Sequence, residues 1–126
     1  MSKYIKIEKT GMLDNYIVNK VNYLKKEFYY TNFEDGYNDI RVRVEGVCYS
    51  FKIAPHELFS LNRTTEFSEL APCSILEDMD SEYLKDFLNR SGNINGNCNI
   101  KHYIIISGED IIDVLSNGIL LIERII

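Results

Sequence analysis

Met12-Leu13-Asp14-Asn15-Tyr16-Ile17-Val18-Asn19-Lys20-Val21-Asn22-Tyr23-Leu24-Lys25-Lys26-Glu27-Phe28 is the stretch on which the fold class turns. Leu13, Ile17, Val21, Leu24 and Phe28 recur at steps of three and four, which lines up one apolar face if the chain is helical. Asp14 near the start and Lys25 and Lys26 near the end complement a helix dipole. The spacing therefore predicts a helix from Met12 to about Phe28. Before it, Tyr4 to Lys9 alternates polar and apolar residues and reads as a first strand or an irregular extended lead-in, ended by Thr10-Gly11.

After a polar, aromatic loop from Thr31 to Asn38, two alternating runs follow. Ile40, Val42 and Val44 oppose Arg41, Arg43 and Glu45; Val47, Tyr49, Phe51 and Ile53 oppose Cys48, Ser50 and Lys52. With Glu45-Gly46 as a tight turn, Asp39 to Ile53 reads as a β-hairpin. Pro55 fits the start of a short helical turn, and 62–73 reads as a long loop. Asp80 or Ser81 caps a second helix running to about Arg90, with Tyr83, Leu84, Phe87 and Leu88 inward and Gly92 as its stop. Ser91 to Asn99 is a glycine- and asparagine-rich connector, and Ile100 to Ile106 a central strand. Ser107-Gly108-Glu109-Asp110 has the form of a capping box, which predicts a short helix from Glu109 to Ser116 ending at Asn117-Gly118. The alternative makes Asn117-Gly118 a hairpin turn between two strands. Gly118 to Ile126 closes the chain as a strand. The expectation is a single α+β domain over 1–126, of order β-α-β-β-α-β-α-β, with two main helices packed on an antiparallel or mixed sheet.

The chain has 126 residues, 45% of them hydrophobic and 26% charged, which suits one globular domain with a real core. Its net charge of −5 argues against a general nucleic-acid binder. The longest apolar runs, Tyr103 to Ile106 and Ile119 to Ile122, are far shorter than a membrane span, and the charged start lacks a signal-peptide pattern. Cys48, Cys73 and Cys98 form no CxxC pair, so reduced thiols and a cytoplasmic location are expected.

No catalytic motif is present, and the chain is read as a non-enzyme without metal or cofactor. His56 and His102 could each act as a general base, with Cys48 or Cys73 as nucleophile, but no local motif surrounds them. Arg41, Arg43 and Lys52, with Tyr29, Tyr30 and Tyr37 nearby, could stack single-stranded bases; a solvated sheet face is the plainer reading. The acids carry more. Residues 1–33 have six basic and three acidic side chains, whereas Glu66, Glu69, Glu77, Asp78, Asp80, Glu82 and Asp86 crowd between 66 and 86 against Lys85 alone. Such a one-sign field speeds encounter with a basic partner. Those seven acids, with Tyr83 as an aromatic anchor, are the candidate partner-binding residues.

A small acidic domain of this kind resembles bacterial immunity proteins of contact-dependent or polymorphic toxin systems. The run His102-Tyr103-Ile104-Ile105-Ile106-Ser107-Gly108-Glu109-Asp110-Ile111-Ile112-Asp113-Val114-Leu115 is similar to strand-then-short-helix endings in several such families. The resemblance implies a cytoplasmic antitoxin-like inhibitor that binds one basic toxin domain, often a nuclease, by covering its active site or an exosite. It transfers no individual residue. The alternative is a phage or host regulatory inhibitor that mimics nucleic acid on a DNA- or RNA-handling enzyme. A homodimer pairing Ile119 to Ile126 across a two-fold axis is a further expectation.

Overall fold

The stretch from Met12 to Phe28 is not helical. In the computed structural model, which describes residues 4–8, 11–36, 38–55, 73–91 and 99–125, it forms β2 (Tyr16–Asn22) and the start of β3 (Glu27–Asn32), an antiparallel pair in which Val21 faces Phe28. The turn closes where Asn22 Oδ1 accepts from the Lys25 N–H and Lys26 takes a positive φ of 56°. The helical spacing misleads because it counts Leu24, which is 95% exposed at the turn tip, and omits Tyr16 and Tyr30, which are buried. The β-branched and aromatic side chains at 16–18 and 28–31 fit a pleated surface better than a helix.

The other elements are β1 (Tyr4–Glu8), β4 (Asn38–Val44), β5 (Cys48–Pro55), β6 (Ile75–Asp78), α1 (Glu82–Arg90), β7 (Lys101–Ile106), β8 (Asp110–Ser116) and β9 (Leu120–Arg124). The α+β expectation is thus corrected: the fold is mostly β, with one helix among the described residues and two antiparallel sheets, β1-β6-β7-β8-β5 and β2-β3-β4-β9. The helix at 109–116 is also absent. Ser107 and Asp110 do bond to each other, Asp110 N–H to Ser107 Oγ at 3.1 Å, but they close the β7–β8 turn. Ile111, Ile112, Val114 and Leu115 fail to alternate because β8 is an interior strand buried on both faces.

The strands at 39–53 exist, but they are not a hairpin. β4 pairs with β3 and β9, whereas β5 pairs with β8 in the other sheet. Asn117-Gly118 likewise joins strands of different sheets, not of one hairpin. The two crossings run side by side and keep register: Val44 faces Leu120 before the corner and Cys48 faces Ser116 after it. A single two-stranded ribbon therefore bends from one sheet into the other at this corner. Glu45 N–H donates to Ile119 O at 2.8 Å, Asn117 N–H to Val47 O at 3.2 Å, and Val47 N–H to Asn117 Oδ1 at 2.9 Å. Gly46, at φ +86°, and Gly118 meet back to back there.

The core lies between the sheets, with Tyr16, Phe28, Tyr30, Ile40 and Val42 on one side and Ile75, Tyr103, Ile105, Ile112 and Val114 on the other. Tyr30 is completely buried, and its hydroxyl has no hydrogen-bond partner among the described residues. Burial, and secondarily the charge of Asp110, hold its pKa well above the ordinary phenol value. An orphaned buried hydroxyl carries a desolvation cost that phenylalanine would not. Tyr30→Phe is therefore expected to leave stability unchanged or raise it by up to about 1 kcal/mol in urea denaturation. A loss of that size would mean that the hydroxyl is engaged.

On the outer face of the second sheet, Glu27 and Glu123 pair with Arg41, and Glu123 also pairs with Arg43 at 3.1 Å. These bonds hold the Glu123 carboxyl below its usual range. Lys52 sits on the other sheet and Tyr30 in the core, so the basic, aromatic strand face read from sequence is not assembled.

Candidate functional site

The outer face of the five-stranded sheet carries a second apolar cluster, Cys73, Leu76, Ile104 and Ile111, and beside it a buried polar chain. Strand alternation puts Asp78 of β6 and His102 of β7 directly opposite each other, with Asp113 of β8 one step along on the same face. His102 is 1% exposed and Asp113 fully buried. His102 Nε2 lies 2.6 Å from Asp113 Oδ1, and Nδ1 lies 2.6 Å from Ser81 Oγ. A carboxylate accepts, so Nε2 carries a proton and donates to Asp113, while Nδ1 is paired with the Ser81 hydroxyl.

Ser81 is also the N-cap of α1, its Oγ accepting the Leu84 N–H at 2.9 Å. The order hydroxyl, imidazole, carboxylate has the connectivity of a nucleophile, a base and the group that orients the base. Here Ser81 is 5% exposed and its hydroxyl holds the helix end, so the chain fixes the first turn of α1 on the sheet. Tyr83 adds to it, lying edge-on to His102 at 5.3 Å with its hydroxyl 2.6 Å from Ser50 Oγ. Lys52 Nζ sits 4.4 Å from the centre of the Tyr83 ring. Burial raises the Tyr83 pKa, and the Ser50 hydrogen bond partly offsets it.

The acidic residues are distributed around this chain. Asp78 is turned inward, with Oδ1 accepting from the Asp80 N–H at 3.0 Å and Oδ2 3.7 Å from His102 Nδ1. Glu77, its neighbour on β6, projects from the opposite face of the sheet, across from Tyr103. Asp80, just before the N-cap, and Glu82 and Asp86 on α1 are exposed, with Lys85 bridging Asp80 at 2.8 Å and Glu82 at 3.4 Å. Glu66 and Glu69 lie outside the described residues, as do His56, Tyr37 and Cys98. Tyr83 is half-buried against the sheet, and the exposed apolar side chain of this surface is Met79.

Cys73 is buried and Cys48 half-buried, and among the described residues neither forms a disulfide. Among the described residues no group of three His, Cys, Asp or Glu side chains is arranged to hold a metal ion, and no helix is long and apolar enough to cross a membrane. A groove of about 320 Å³ opens elsewhere, between the β2–β3 turn and the start of β5.

Sequence reasoning missed the pair of His102 and Asp113, although a signal existed. A lone carboxylate inside Ile111-Ile112-Asp113-Val114-Leu115 needs a buried partner once the run is taken as an interior strand. Comparison with protein-family models, curated proteins and solved structures found no match to this chain.

Proposed function

We propose that this chain is a small acidic inhibitor of the immunity-protein type, a cytoplasmic protein that neutralises a bacterial toxin domain by direct binding. The observation that carries the reading is the placement of its exposed acids. Glu82 and Asp86 stand on a helix, and Asp80 just before its N-cap, and the first turn of that helix is tied into the sheet through Ser81, His102 and Asp113. A charged surface fixed in this way loses little conformational freedom on binding, which favours tight association with a basic partner. Met79, 55% exposed beside Asp80, supplies an apolar contact at the edge of the same surface. A nucleic-acid mimic would need carboxylates spaced along one face, and the opposite settings of Glu77 and Asp78 favour the protein-inhibitor reading over it.

The test is association with the product of the neighbouring gene. Asp80→Lys, Glu82→Lys and Asp86→Lys combined should lower the on-rate at low salt by about tenfold or more, and the difference should shrink at high salt. Coexpression should protect the host from that product when the wild-type chain is present and less well with the triple variant. Unchanged kinetics in a variant with an intact circular dichroism spectrum would remove the helix surface from the proposal.

A further inference from the structure

We propose that the groove between the β2–β3 turn and the start of β5 binds a small aromatic carboxylate, whose ring enters among Tyr23, Phe28 and Phe51 and whose anionic group meets the Lys26 ammonium. Its volume, about 320 Å³, lies at the lower end of the range for small-molecule clefts. The inference goes beyond the proposed function and does not depend on it.

The two sheets each supply a side. Val21, Tyr23 and Phe28 come from β2, the turn after it and β3, whereas Cys48 and Phe51 come from β5 of the other sheet. The Phe51 ring has Tyr23 at 5.2 Å, inclined by 41°, and Phe28 at 5.3 Å, nearly perpendicular at 82°. Rings set at these angles offer faces and edges to a further ring, the two approaches that aromatic groups prefer. Tyr23 is 74% exposed, so a ring bound against it would take apolar surface out of water.

Charge decides which aromatic ligand fits. Aromatic rings alone would suit a cation. Lys26 lines the same groove, and its like charge opposes one. Its ammonium donates to the Gly46 carbonyl, a neutral acceptor that leaves the positive charge uncancelled. That charge is felt inside the groove. Burial holds the Cys48 thiol above its ordinary range, and backbone hydrogen bonding at Ser50 and then the Lys26 charge pull it partly back. Glu27, the acid of the groove wall, is 4% exposed and already engaged by the Tyr29 hydroxyl at 2.9 Å and by Arg41 at 3.4 Å. The groove therefore joins an aromatic slot to one available cation, which is the complement of an aromatic ring bearing a carboxylate.

The experiment titrates the full chain, labelled with nitrogen-15, with naphthalene-2-carboxylate, 2-naphthylmethylammonium and trans-decalin-2-carboxylate. Naphthalene-2-carboxylate is expected to shift the amides of Tyr23, Lys26, Cys48 and Phe51 and to bind about tenfold tighter than the ammonium on the same ring. It should also bind about threefold tighter than the decalin carboxylate, which has its charge and size but no π face. Lys26→Gln keeps a donor for the Gly46 carbonyl and should bring the two naphthalene probes to equal affinity. The triple lysine variant at 80, 82 and 86 should leave the preference intact. The comparison of probes on the wild-type chain decides the matter even where Lys26→Gln fails to fold. Equal binding of carboxylate and ammonium, equal binding of the flat and saturated carboxylates, shifts confined to other surfaces, or no binding at millimolar probe would each overturn the proposal.

Discussion

Alanine at position 118 is expected to destabilise the protein by about 3 kcal/mol, a fall in Tm of about 10 °C. A β-carbon on Gly118 would lie 1.7 Å from the Glu45 carbonyl oxygen and 2.5 Å from its carbon. Those atoms are backbone and cannot rotate away. The Glu45 amide is held by Ile119 O, and the neighbouring Val47 amide by Asn117 Oδ1, so relief requires the two crossings to part. Parting them breaks the only place where the ribbon passes from sheet to sheet among the described residues. Gly36→Ala is the control. Its φ is positive, +79°, as that of Gly118 is not, but nothing lies within 4 Å of the added carbon, so its cost should stay near the 1 kcal/mol of backbone strain alone. Equal losses for the two variants would show that the close approach of the chains at Gly118 costs no more than backbone strain does at Gly36, and would overturn this account.

That corner also explains how far the sequence could be read. The alternation at 40–44 and 47–53 is a local property, and it located β4 and β5 correctly. Pairing is not local. Glu45-Gly46 looks the same whether the chain folds back on itself or steps to a second sheet, and only the distant Asn117-Gly118 decides between them. The helix at Ser81 was legible because its cap and apolar spacing are contained within a few residues. The helices expected at 12–28 and 109–116 failed for two different reasons. The first rested on an apolar tally that gave an exposed Leu24 the weight of a core residue and passed over the buried Tyr16. The second rested on a Ser-x-x-Asp pattern that serves a strand turn as readily as a helix start. The acidic residues could be named from sequence, but strand alternation, which sends Glu77 and Asp78 to opposite faces, depends on β6 being a strand.

His102→Leu is expected to cost about 3 kcal/mol or more, because it takes the imidazole from Asp113, whose carboxylate has no exposure to water. His102→Leu with Asp113→Leu should recover much of that loss, since an apolar pair of similar volume removes the buried charge together with its partner. The coupling between the two positions, read from a double-mutant cycle, should exceed about 1 kcal/mol. The cycle alone does not separate a stabilising pair from a positioning device, but hydrogen exchange does. Loss of His102 leaves the Ser81 hydroxyl without its imidazole partner, so the cap on the Leu84 amide should loosen in the single and in the double variant. The double variant would then be nearly as stable as the wild type, with a less ordered first turn of α1 and slower association with a basic partner. Full recovery of Leu84 protection would break the link between the buried chain and the acidic helix on which the proposed function rests.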